Sequence, residues 1–178
     1  VLGGEVAMPP ELYQVPAWAS LITALFFHSS FWHLGGNMLF LWVFGDNVED
    51  ATGHGKFLVL YLFAGVVSGL TEWAVAPESV TPVIGASGAI AGVLGAYLLL
   101  HPRRRMLVLI MRVVPLRLHV GLVLVFWILY QIGAGIVLGG DQDNDVAWWA
   151  HVGGFVAGMI LIVPLRHRGV RLFDRPAS

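Results

Sequence analysis

Three short clusters in this 178-residue chain hold the side chains that acyl-transfer chemistry needs. The first is His28-Ser-Ser-Phe-Trp-His33-Leu-Gly-Gly-Asn37-Met38, where His33 and Asn37 stand four apart and share one face of a helix. Both can donate hydrogen bonds. The second is Gly85-Ala86-Ser87-Gly88-Ala89, with Gly92 and Gly95 beyond; the third is Ala150-His151-Val152-Gly153-Gly154-Phe155, with Gly158 beyond. A serine becomes a nucleophile when a general base lies within about 3 Å, and side-chain or backbone donors can hold the oxyanion that then forms. Each cluster also has a plainer reading. His33 and Asn37 fit polar glue between helices, Ser87 fits a packing serine bonded to its own backbone, and His151 fits a polar packing residue. The Ser87 cluster is not the hydrolase nucleophile elbow, because Ala89 stands where that turn needs glycine.

The elements that carry these clusters must lie in lipid. Hydrophobic residues make up 57% of the chain and charged residues 12%, with a mean hydropathy of +0.78. Soluble domains carry about 25% charge. Five stretches are long and apolar enough to cross roughly 30 Å of hydrocarbon: Phe31–Val48, Phe57–Val75, Ile84–Leu100, Leu118–Leu138 and Val146–Leu165. Leu21–Phe27 is too short and reads as an interfacial or loop helix, and Met106–Val114, cut by Arg112 and closed by Pro115, reads the same way. Polar or Gly/Pro-bearing links at Glu49–Lys56, Ala76–Pro82, His101–Arg117 and Gly139–Asp145 separate the spans. The seven tryptophans suit membrane-interface belts. The chain has no cysteine, which excludes a thiol nucleophile and thiolate metal sites.

Charge sets the orientation. Lys56, Arg103, Arg104, Arg105, Arg112, Arg117, Arg166, Arg168, Arg171 and Arg175 are all the basic residues, and a five-span alternation puts every one on the same side. The other side carries Glu5, Glu11, Glu78, Asp141, Asp143 and Asp145. The basic side is the cytoplasmic one. The N-terminus is then expected outside and the C-terminus inside, and the outside start without a targeting signal suggests an upstream span.

Polar residues in lipid cost free energy unless they are paired or functional. Ser87 and His151 fall in the outer parts of their spans, flanked by small residues that let two helices approach closely. His33 and Asn37 lie at similar depth on a third span. Ser87 also follows Pro82 and Gly85 at a helix start, where free N–H groups favour negative charge. This shared depth favours a site over three separate packing roles.

The ordered set His28…His33-x-x-x-Asn37-Met38, Gly85-Ala-Ser87-Gly88 and Ala150-His151-x-Gly153-Gly154-Phe155 resembles the rhomboid intramembrane proteases, over nearly the whole chain. Gly45-x-x-Val48-Glu49 and Gly53-x-Gly55-Lys56-Phe57 are also similar. The resemblance implies an all-α, polytopic transmembrane bundle in one domain over 1–178, with an outer or interfacial segment at 1–30, the bundle at 31–166 and a cytoplasmic tail at 167–178. Of a six-span core, five are present and the first is missing. It implies Ser87 as nucleophile and His151 as general base in a dyad without an acid, and Asn37, His33 and the Ser87 N–H as oxyanion donors. It implies that Glu72 helps to retain water. Asp145, six residues before His151, lies in the wrong direction around the helix for a direct role. A Trp-Arg pair that many bacterial members carry in the first loop is absent, Trp18-Ala19-Ser20 standing there instead.

The expected reaction is hydrolysis of peptide bonds in or beside the transmembrane helices of protein substrates, in a bacterial inner membrane, with the site toward the outer face. No cofactor, metal or nucleic-acid partner is expected, and no HExxH motif is present. Two other readings are a catalytically silent rhomboid-like factor that binds membrane proteins, and a small transporter lined by His28, His33 and His151. The transporter reading calls for ionisable residues at mid-membrane and repeated halves, which the sequence does not have.

Overall fold

The computed structural model describes residues 16–79, 81–110, 114–138 and 146–173. Asp145 lies outside them, as do Glu5, Glu11, Asp141, Asp143, Arg112 and Arg175.

The described chain is an all-α bundle with one small β-hairpin. Its helices are α1 (Ala17–Thr23), α2 (Phe31–Thr52), α3 (His54–Val75), α4 (Ser87–Leu100), α5 (Val120–Leu138) and α6 (Trp148–Leu165); a 3-10 turn, Ala24–Phe26, follows α1. Three helices, α3, α5 and α6, are long and apolar enough to cross a membrane by themselves. Exposed Phe63, Leu122, Phe126, Ile136 and Ile160 give these helices apolar outer faces suited to lipid.

The other two expected spans differ instructively. Helix α2 has the length, but Asp46, Glu49 and Asp50 make its second half polar. Helix α4 has only 14 residues, about 21 Å at 1.5 Å per residue. It need not match the hydrocarbon thickness, because it is enclosed by protein. Every residue from Gly88 to Tyr97 is buried, as is Leu100, with α2, α3, α5 and α6 packed around it.

Local chemistry sets the ends of these helices. Ser30 caps α2 by accepting the His33 N–H at 3.1 Å. The link expected over Glu49–Lys56 shrinks to Gly53, since both helices run almost to it. Gly53 has φ of +81° and ψ of 156°, a conformation reserved for glycine, and this lets α3 start immediately. The third span was expected from Ile84, but Gly85 at φ +109° cannot be helical, and α4 begins at Ser87. Gly85 N–H donates to Ala24 O at 2.9 Å, which ties this loop to the turn after α1. The short element around Leu21–Phe27 does not cross; its Leu25 is buried against Gly65 of α3.

The described residues of Met106–Val114 are strand, not helix. Strands β1 (Arg105–Ile110) and β2 (Val114–His119) pair antiparallel, Arg105 opposite His119 and Ile110 opposite Val114. Pro115 cannot continue a helix, while Val108, Ile110 and Val114 favour extended backbone. Alternation then lets half-buried Met106 pack toward the core while Arg105, Leu107 and Arg117 stay exposed. The fourth expected span therefore begins as strand, and its helix starts at Val120 rather than Leu118.

Candidate active site

The centre of the molecule is the crossing of α4 and α6. Gly88 lies against Ser68 and the Ala150 carbonyl, Gly92 against Ala64 and the Gly154 carbonyl, and Gly95 against the Phe155 carbonyl. In return Gly154 and Gly158 meet the carbonyls of Gly88 and Gly92. Without side chains at these places the two backbones touch. That contact brings together the first residue of α4 and a residue in the first turn of α6.

Those residues are Ser87 and His151. Ser87 Oγ lies 2.9 Å from His151 Nε2, within hydrogen-bond reach. The first N–H groups of α4, that of Ser87 among them, have no partner within the helix and face the same end. The turn at Gly85 comes two residues before Ser87, which opens the helix. The Gly85 Cα hydrogen faces His33: a Cβ there would stand 2.8 Å from both Cε1 and Nε2 of the ring.

Asn37 joins the same site. It is only 8% exposed, and its Nδ2 is buried with no hydrogen-bond partner. A buried amide donor without an acceptor is costly, and a charge that appears during a reaction would satisfy it. A cavity of about 200 Å³ is lined by Asn37, Ser87, Gln131 and His151 on its polar side and by Phe40 and Trp127 among its apolar walls. His33 is beside this cavity rather than on its lining; its Nδ1 shares a hydrogen bond with Ser29 Oγ at 3.2 Å, and its ring meets His28 edge-on.

Two neighbours of His151 were not foreseen in these positions. Gln131 Oε1 lies 2.8 Å from His151 Nδ1, and Trp127 stands with its ring centroid 6.0 Å from the imidazole. Both come from α5, four residues apart on one face. The signal in the sequence was there: Gln131 is the one amide in an otherwise apolar stretch of 19 residues, and such a residue costs free energy in lipid unless it is paired.

Glu72 has a structural task. Helix α6 has no local side-chain cap. Instead Glu72 Oε2, from α3, accepts the Ala150 N–H at 2.7 Å, with the Trp149 N–H as a second donor. The carboxylate thus caps the helix that carries His151 and complements its dipole. Glu72→Ala is expected to lower stability by about 1–2 kcal/mol, the usual range for a lost cap and dipole partner, and Glu72→Gln by less, since it keeps an acceptor. Thermal unfolding in detergent checks the order; equal losses would refute the cap.

Comparison with known proteins gives the family. Residues 15–168 match the Rhomboid domain family. The chain belongs to the rhomboid family. The rhomboid protease GluP of Bacillus subtilis is 32% identical over 148 residues, covering 83% of this chain and 26% of GluP. The mitochondrial presenilin-associated rhomboid-like protein of Homo sapiens is 30% identical over 141 residues, 78% of this chain and 36% of that protein. The chloroplastic rhomboid-like protein 11 of Arabidopsis thaliana is 41% identical over 80 residues, 45% and 28% of the two chains. The chain therefore spans about a quarter to a third of the length of these relatives. As a rhomboid domain with membrane-crossing helices, it is a multi-pass membrane protein.

Proposed function

We propose that this rhomboid domain is an intramembrane serine endopeptidase using Ser87 and His151. The observation that carries the reading is the 2.9 Å contact between Ser87 Oγ and His151 Nε2 beside the unpaired Asn37 amide. In the proposed reaction Ser87 Oγ attacks the substrate carbonyl carbon while His151 Nε2 takes its proton. The resulting oxyanion receives hydrogen bonds from Asn37 Nδ2, the Ser87 N–H and the His33 ring. Collapse of this intermediate breaks the C–N bond, and His151 returns the proton to the leaving amine. Water then repeats the sequence on the acyl-enzyme and frees Ser87.

Lipid supplies no water, so the cavity must fill from the polar end of the bundle, where Glu72 adds a carboxylate that helps to retain it. A substrate helix hides its carbonyls and must unwind locally before attack. Transmembrane proteins with helix-weakening residues near the outer interface are the proposed substrates. The one-sided placement of the ten basic residues supports a cytoplasmic C-terminus and a site toward the outer face, as in a bacterial inner membrane.

A fluorophosphonate probe tests the assignment directly, because an activated serine attacks its phosphorus, displaces fluoride and keeps the phosphonyl group as an ester. Labelling is expected on Ser87 alone, and Ser87→Ala and His151→Ala are each expected to reduce it at least 100-fold. Peptide mapping of the adduct identifies the residue. A wild-type protein that takes no label while remaining folded would return the chain to the catalytically silent, membrane-protein-binding reading.

A further inference from the structure

Proposed as an intramembrane protease, this chain would need more than proximity at His151. A neutral imidazole carries one N–H, on either nitrogen. Only the tautomer with its proton on Nδ1 leaves Nε2 free to accept the proton of Ser87. A helix that merely delivers the ring to the site does not choose between the two. The choice falls to whatever meets Nδ1.

Gln131 Oε1 meets it, 2.8 Å away. A carbonyl oxygen accepts and cannot donate, so this contact requires Nδ1–H. Gln131 is 5% exposed and projects from α5, a helix independent of those that carry Ser87 and His151. One turn earlier on the same face, Trp127 lies against the imidazole and against Phe155, four residues beyond His151 on α6. One side of α5 thus meets the ring at Nδ1 through Gln131 and sets Trp127 beside it, tilted by 41°. The opposite amide orientation would point NH₂ at Nδ1 and force the proton onto Nε2, aimed at the serine, which abolishes the base.

We infer that Gln131 is a positioning residue that fixes the tautomer and direction of His151, a neutral third member behind the serine–histidine pair. This rests on the protease reading above. A neutral amide orients the ring as a carboxylate does, but it stabilises the imidazolium less. The design suits a water-poor site, where a buried carboxylate would itself need compensation.

Two measurements on the full chain test this. In the first, reconstituted protein cleaves a model transmembrane substrate. Gln131→Leu, which fills the space without an acceptor, is expected to lower kcat about 10–100-fold with KM within about twofold, less than the ~10⁴-fold loss known when a triad histidine is held in the wrong tautomer. Gln131→Glu is expected to restore most of kcat and to move the acid limb of the kcat–pH profile to higher pH, since an anion favours the charged ring. A rise in KM with unchanged kcat would instead make Gln131 a wall of the substrate cavity and overturn the proposal. In the second, ¹⁵N NMR of histidine-labelled protein reads the tautomer without turnover, the His151 signals being those lost in His151→Ala. Nδ1–H is expected in the wild type and a mixture in Gln131→Leu. Nε2–H in the wild type would overturn the proposal. Nδ1–H in a protein that neither cleaves nor takes a fluorophosphonate would sustain the positioning role and sink the protease reading.

Discussion

Ser87→Ala is expected to reduce cleavage of a transmembrane substrate to background, a fall in kcat on the order of 10³-fold or more, with the protein still folded. The loss is large because the oxygen removed is, in the proposed reaction, the atom that bonds the substrate. The fold survives because that oxygen has one described partner, His151 Nε2, and its removal forfeits a single hydrogen bond of about 1 kcal/mol. His151→Ala is expected to fall equally far. The two losses should not add: a proposed nucleophile and its base act as a unit, so the double variant should be no slower than either single one. A reconstituted cleavage assay with thermal unfolding run alongside measures all three. Residual activity of a few per cent in Ser87→Ala would mean that another group attacks.

The polar clusters were legible because the bilayer makes polar residues conspicuous. Ser87, His151 and Asn37 line one cavity, and the long apolar stretches around 57–75, 118–138 and 146–165 yield three membrane-length helices. What was hidden depended on tertiary context. The 14 residues of α4 read as a full span because hydropathy does not record that neighbouring helices, rather than lipid, surround them. Arg105–Ile110 and Val114–His119 became paired strands because their apolar residues need only one face buried, which alternation provides as well as a helix would. Glu72 was legible as a polar group near the outer end of its helix, but its partners are backbone N–H groups 77 and 78 positions away, which no local pattern encodes.

Glycine spacing was also legible, but its consequence appears only where helices cross, and Gly154→Ala should expose it. A Cβ at Gly154 would overlap the Gly88 carbonyl oxygen and stand 2.9 Å from its carbon. Backbone cannot rotate aside as a side chain can, so α6 must move away from α4. Overpacking of this kind costs about 3 kcal/mol. The larger effect falls on chemistry, because Gly88 adjoins Ser87 and Gly154 lies three residues after His151. Displacement by about 1 Å between nucleophile and base lowers rates on the order of 10²-fold. Gly158→Ala, one turn deeper against Gly92, should destabilise similarly but disturb kcat less, because α6 can tilt about its Glu72-capped end. Gly133→Ala is the control: nothing lies within 4 Å of its Cβ position, and neither stability nor rate should fall. Unfolding temperature and kcat measured on all three separate the effects. If Gly154→Ala kept both at wild-type values, the touching of α4 and α6 would not be what holds Ser87 against His151.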